Sequence, residues 1–141
     1  MSQLLARLDT DERQQQRQHL RNLFSSDFLT AELNIYAYAS HYLGGFDGAE
    51  WRYHALPCGG GFLAPDSASE RFHDPAKGFS ATVSGETAGI IITALVLNHR
   101  CWLYDRHDEE ELSQFYGWRF EQLRHHAVMR PDGSLIFMAL H

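Results

Sequence analysis

Trp51-Arg52-Tyr53-His54-Ala55-Leu56-Pro57-Cys58-Gly59-Gly60-Gly61-Phe62-Leu63-Ala64-Pro65-Asp66 is the stretch that decides the fold class of this chain. An alternating run leads into a glycine turn, and a second short apolar run stops at a proline. That order reads as a β-hairpin. Side chains alternate across a strand. Trp51, Tyr53 and Ala55 therefore share one face of the first strand, and Arg52 and His54 share the other. Phe62 and Ala64 repeat the pattern in the second.

Upstream, residues 1–24 are expected to form a polar N-terminal helical segment. Residues 11–21 are rich in Gln and Arg and lead into Leu20, Leu23 and Phe24, so the spacing predicts an exposed helix that docks by its C-terminal turn. Ser25-Ser26-Asp27 offers an N-cap. Phe28, Leu29, Leu33, Tyr36 and Ala37 then fall at helical spacing, predicting a second helix over 27–42. Gly44-Gly45-Phe46-Asp47-Gly48 ends it as a loop.

Downstream of the hairpin, residues 66–77 read as a polar loop. Phe79, Ala81 and Val83 alternate with Ser80 and Thr82, which predicts a third strand. Ser84 is a good N-cap, and Glu86 suits the positive end of the helix that follows. That helix, over about 85–98, is apolar almost all round and is expected to be the buried central one. Its β-branched residues lower helix propensity, but its cap and length favour helix over strand. The acidic residues 105–111 are expected to open a last helix with Leu112, Phe115, Tyr116, Phe120 and Leu123 on its apolar face, closed by His125 and His126. The apolar tail, residues 134–140, is expected to dock on the body. Segregated helices and strands make the class α+β. The expected architecture is a single domain over 1–141, a three-stranded antiparallel β-meander packed against about four helices.

Composition narrows the function. The chain has 141 residues and a formal net charge of −6, so it lacks the basic footprint of a nucleic-acid binder. It is also far from the charge density of a duplex, one negative charge per about 1.7 Å, so direct DNA binding and DNA mimicry are both disfavoured. Two cysteines, Cys58 and Cys101, make no disulfide framework. The first residues lack the apolar core of a signal peptide. The longest apolar run, residues 88–97, is too short to span a bilayer. The expectation is a cytoplasmic protein with no membrane partner.

Several motifs together resemble the ArdB/KlcA antirestriction family of plasmids, prophages and other mobile elements. The family's aromatic-rich helix, tryptophan strand, Gly-Gly turn and aromatic strand ending in Pro look like residues 36–42, Trp51 to Leu56, Gly59-Gly60, and Phe62-Leu63-Ala64-Pro65. Its Ser-x-Glu-Ala-Ala-Gly-Ile helix start is similar to Ser84-Gly85-Glu86-Thr87-Ala88-Gly89-Ile90. The likeness runs from about Leu20 to the end. Pro57-Cys58 stands where the family usually has Ser-Asn, Gly61 where an aromatic is usual, and His141 where an acidic residue is usual. The resemblance implies an α+β protein that protects incoming DNA from type I restriction–modification without breaking a bond. It implies as partner a type I restriction enzyme subunit or an associated host protein, and no cofactor. Trp51, Tyr53, Gly59, Gly60, Phe62, Pro65, Asp66 and His141 are the motif positions. Tyr38 and Tyr42 join them as candidate partner anchors, because aromatics dominate interface hot spots.

Other chemistry is weighed against this. A thiolate nucleophile needs a base in reach and donors for an oxyanion. Cys58 precedes three glycines, with His54 and Asp66 nearby in sequence, so a cysteine-dependent hydrolase or acyltransferase is one alternative. The simpler reading is that Pro57-Cys58-Gly59-Gly60 makes the turn, the glycines supplying positive φ. His54 lies on the strand face opposite Tyr53 and is aimed away from Cys58. His73, Asp74, His99, Cys101, His107 and Asp108 are possible metal ligands, but no paired zinc spacing links them. Gly59-Gly60-Gly61 precedes a strand, not the helix N-terminus a phosphate loop needs. The acidic run 105–111 reads as a solvated helix start. No catalytic, cofactor-binding or metal residue is assigned. A diverged accessory protein binding another host factor is the remaining alternative.

Overall fold

A computed structural model of the chain describes residues 10–43 and 50–141. The expected loop at Gly44 to Gly48 and the first nine residues of the expected N-terminal helical segment lie outside the described residues. Among those described, five helices and four strands follow in the order α1 (Thr10–Leu23), α2 (Phe28–Tyr42), β1 (Trp51–Ala55), β2 (Gly61–Pro65), β3 (Glu70–Asp74), β4 (Phe79–Val83), α3 (Gly85–Arg106), α4 (Glu110–Val128) and α5 (Gly133–Leu140).

The expected hairpin is present. β1 and β2 pair antiparallel, with Trp51 opposite Pro65, Tyr53 opposite Leu63 and Ala55 opposite Gly61. The three-stranded meander is not present. The segment expected to be a polar loop holds β3, which pairs antiparallel with β4 as a second hairpin. The strands form two separate two-stranded sheets. β3 carries one large apolar side chain, Phe72, which is fully buried, so its alternation is faint in the sequence. Its turn is made by a backbone device. Asp74 Oδ1 accepts from Ala76 N at 3.1 Å, and Gly78 takes φ 64°, which glycine adopts freely.

Helix α3 is the centre of the core. It starts as expected, with Ser84 Oγ accepting from Thr87 N at 3.1 Å, and it runs eight residues past the predicted end, to Arg106. Its packing on β2 explains the Ser84 to Ile90 motif. A Cβ added at Gly89 would lie 2.3 Å from Ala64 Cβ and 2.5 Å from Leu63 O. One added at Gly85 would lie 2.4 Å from Ser67 O. One turn beyond Gly89, Thr93 Oγ1 accepts from Leu63 N and donates to Leu63 O, both at 3.1 Å. Gly85, Gly89 and Thr93 thus form one i, i+4 line laid directly on the strand backbone. All of β2 is buried as a result.

Two boundaries differ from expectation. Asp105 and Arg106 belong to the end of α3, and α4 begins at Glu110. The turn between them places Asp108 at φ 57°, a left-handed conformation that Asp tolerates better than most residues. The buried face of α2 is also different. Phe28, Ala31, Glu32, Ile35 and Ala39 face inward, while Leu33 is 58% exposed. Asp27 stands at the N-cap position without capping. Its carboxylate instead accepts hydrogen bonds from Tyr104, Tyr116 and Arg100. Arg100 also donates to Asn34 Oδ1 at 2.6 Å. This network joins the entry of α2 to α3 and α4.

The tail docks as expected, as helix α5 with Ile136 and Ala139 buried. Arg130 reaches Asp132 at 2.9 Å and Glu86 at 2.8 Å, tying the α4–α5 turn to the start of α3. Lys77 Nζ donates to Ala139 O at 2.7 Å.

These contacts set two expectations for stability. Gly89→Ala forces a Cβ into the strand backbone and should cost at least ~2 kcal/mol. Thr93→Val keeps the shape but strands Leu63 N and O, and should cost about 2 kcal/mol. Denaturant midpoints measure both. Burial alone would raise the Asp27 carboxyl, but bonds from Tyr104, Tyr116 and Arg100 outweigh it and hold the group below its ordinary value. A depressed folded pKa gives stability that is present above the unfolded value, near 3.9, and is lost as pH falls through the folded value. Asp27→Asn should lower stability at neutral pH by about 2–3 kcal/mol, since it strands Arg100. It should also flatten the acid limb of a stability–pH curve.

Candidate functional site

The tip of the first hairpin is a surface held by side chains of two helices. Its backbone turns tightly. Leu56 N donates to Gly60 O at 2.8 Å, and Gly59 N to Leu56 O at 3.0 Å. Gly59 takes φ 103°, a conformation open to glycine. Gly61 is glycine for a different reason. The Tyr53 phenol crosses over it, and a Cβ at 61 would lie 2.4 Å from the Tyr53 hydroxyl.

Helices α1 and α4 clasp this tip from two sides. From α1, Asn22 Nδ2 donates to Gly59 O at 2.7 Å, and the His19 ring stacks on Tyr53 at 4.5 Å. From α4, Gln122 Nε2 donates to Cys58 O at 3.2 Å. Arg119 lies between the two helices. Its Nη1 donates to Gln122 Oε1 at 2.9 Å and its Nη2 to Asn22 Oδ1 at 3.3 Å. Arg119 is 5% exposed. Its guanidinium lies over the Trp118 ring at 4.3 Å and near the Phe115 ring at 5.3 Å. Burial lowers its pKa, opposed by Tyr53 and Cys58, and an arginine stays charged nonetheless. Burial likewise raises the Tyr53 phenol.

Among the described residues, the side chains near the candidate nucleophile in sequence are turned to other partners. Cys58 is an exposed free thiol. The His54 ring lies flat on Phe62 at 4.7 Å and 3°, on the other side of the sheet from Tyr53. Asp66 sits at the opposite end of the hairpin, where its N–H donates to Glu50 O at 2.7 Å and its carboxylate lies 3.5 Å from Arg52 Nε. Among the described residues, no hydrogen bond joins Cys58 Sγ to an imidazole or a carboxylate. The candidate metal ligands are likewise scattered. His99 Nδ1 meets Tyr38 Oη at 2.8 Å, Cys101 Sγ lies 3.7 Å from Ser113 Oγ, and among the described residues no three ligating side chains converge.

The motif aromatics are placed inside. Trp51 is buried, edge-on to Tyr36 at 5.8 Å. Phe62 and Pro65 are buried in β2. Tyr38 and Tyr42 are half-buried, Tyr38 on His99 and Tyr42 stacked on Phe72 at 5.3 Å. His141 is exposed at the end of α5, its ring 4.3 Å from Phe137. The large exposed aromatics are instead Trp102, Trp118 and Phe137.

Sequence reasoning did not single out Arg119, Asn22 or Gln122. One signal was available for Arg119. It occupies the stripe Tyr116, Arg119, Leu123, Ala127, all buried on α4, where a charge is out of place.

Comparison with known proteins adds four findings. The family model described as "Antirestriction protein" matches residues 44–141. Among curated relatives, the chain is 40% identical over 120 residues to YubI of Escherichia coli (strain K12), which bears an antirestriction name, covering 84% of each chain. It is 27% identical over 113 residues to the antirestriction protein KlcA of Escherichia coli, covering 79% of this chain and 78% of KlcA. Among solved structures, it superposes on a chain from the structures of the KlcA and ArdB proteins with a TM-score of 0.77, at 27% identity and over 91% of this chain and 89% of the other. Those two proteins have a novel fold and antirestriction activity against type I DNA restriction systems in vivo but not in vitro.

Proposed function

The chain belongs to the antirestriction protein family, and from that premise we propose that it protects incoming DNA from type I restriction–modification by contact with protein. The observation that carries this reading is the joint match of sequence and fold, which spans the clasped hairpin and the α3 start. The partner is a subunit of the restriction enzyme or a host protein associated with it. Activity in vivo but not in vitro, as for KlcA and ArdB, fits a route that needs a further cellular component. The present chain works as one domain in the cytoplasm, on behalf of a plasmid or prophage. Its net charge of −6 speaks against direct contact with DNA, whose phosphates would repel it.

The route is non-enzymatic. Cys58 serves the turn with its backbone carbonyl, while its thiol faces solvent without a base. Expressing the chain in a host carrying a type I system should raise the plating efficiency of unmodified phage well above that of control cells. Cys58→Ala should keep that protection in full. Equal plating with and without the chain sinks the proposal. Loss of protection in a folded Cys58→Ala variant would favour a cysteine enzyme instead.

A further inference from the structure

Two arginines are buried among the described residues, and they are treated differently. Arg100 has the Asp27 carboxylate. Arg119 has no carboxylate within ion-pair distance among the described residues. A guanidinium carries five N–H donors. Arg119 uses two of them, and both acceptors are neutral amides, Gln122 Oε1 and Asn22 Oδ1. Its Nε is buried and meets no acceptor, which is also true of Arg100, so the missing carboxylate is what separates the two. A buried charge without a counter-charge is an expensive arrangement that one arriving anion would relieve.

Its setting is that of a receptor. The Trp118 and Phe115 rings occupy the guanidinium's surroundings and leave its donor-bearing edge, the part that pairs with planar oxyanions. That edge lies just under the hairpin tip, since a Cβ placed at Gly59 would be 3.9 Å from Nη1. Only the half-buried side chain of Gln122 bridges it to Cys58. The amide oxygen of Gln122 stands where a carboxylate oxygen would bind, so a partner's carboxylate reaches Nη1 by displacing that side chain. Beside it, Trp118 is 54% exposed, a large apolar surface of the kind that anchors protein contacts.

We propose that Arg119, gated by Gln122 and flanked by Asn22 and Trp118, is a receptor for a carboxylate, supplied by an acidic side chain of the protein partner that docks over the Cys58–Gly59 turn. This rests on the reading of the function as protein contact, and it names the chemistry of that contact. A nucleic-acid phosphate is the poorer occupant, because a chain of net charge −6 repels a polyanion as a whole but takes one carboxylate on a mixed-charge surface.

The test uses the whole chain and nitrogen-edited NMR of its arginine Nε–H groups. A short capped peptide centred on Glu is titrated in at constant ionic strength, against the same peptide with Gln and against inorganic phosphate. The Arg119 Nε–H signal should shift saturably with the Glu peptide and several-fold less with the Gln peptide. Gln122→Glu, nearly isosteric, should supply the carboxylate internally, while giving up the bond the amide donates to Cys58 O. It should lose the response to the Glu peptide with the spectrum of a folded chain, whereas Gln122→Ala, which gives up the same bond but supplies no carboxylate, should keep that response. Equal shifts with the Glu and Gln peptides, or a folded Gln122→Glu variant that responds as the parent does, would overturn the proposal. Phosphate matching the Glu peptide at equal concentration would overturn the carboxylate assignment. The titration needs no restriction system. A chain that protects phage but ignores the Glu peptide therefore refutes the receptor alone, and one that binds the peptide but protects nothing refutes the proposed function alone.

Discussion

The structure depends on the direct contact between helix α3 and the backbone of β2. Gly85 and Gly89 remove the side chains that would hold the two apart, and Thr93 supplies the hydrogen bonds that Leu63 would otherwise seek from a third strand. A two-stranded sheet has two open edges and is marginal alone. Here a helix closes one of those edges through a threonine hydroxyl. β2 is thereby buried throughout, and α3 gains a core position for thirteen of its residues. The same contact explains why the strands need not form one sheet, since the role of a third strand beside β2 is taken by α3.

Helix α4 then packs on α3, and the interface is polar at its centre. Asp27 gathers Tyr104, Tyr116 and Arg100 at the entry of α2. Replacing such a cluster by apolar groups is often neutral, but removing one member is not, because the charge left behind stays buried. Further along α4, Arg119 is the contrasting case, held by amides and aromatic rings. Two buried guanidiniums in one small core, one neutralised internally and one not, mark the second as the place where the protein still offers charge to a partner. The hairpin tip, carried over that charge by Asn22 and Gln122, is the surface through which the offer is made.

Much of this was legible in the sequence, and the misses have physical causes. The first hairpin, the Ser84 cap and the docked tail follow from alternation, capping chemistry and apolarity, which are local. β3 was hidden because a strand needing one anchor, Phe72, leaves little pattern. On α2, the leucines drew the apolar face toward Leu29 and Leu33, while the true face buries Glu32, which accepts from Tyr36 at 3.2 Å. A buried glutamate inverts a face assignment made by hydrophobicity. The position of Asp27 suits a cap, yet its partners lie more than seventy residues away. Arg119 was hidden for the same reason, since Asn22 is 97 residues from it in sequence. Composition and spacing report short-range order, and polar cores are assembled at long range.

The departures from the ArdB/KlcA pattern can now be sorted by what each touches. Gly61 stands where an aromatic is usual, and the Tyr53 ring occupies the space directly above it. An aromatic surface at that point is thus supplied from the neighbouring strand, and glycine is what allows it. At Pro57 and Cys58 the turn is held by the carbonyls of Cys58, Gly59 and Gly60, none of which depends on the side chains at 57 and 58. Both side chains are exposed. A change at Cys58 alters the exposed surface of the tip without removing a hydrogen bond of the clasp. Under the proposed function, variation is therefore cheapest at the partner-facing tip, and the glycines and the buried arginine beneath it are where substitution should be resisted.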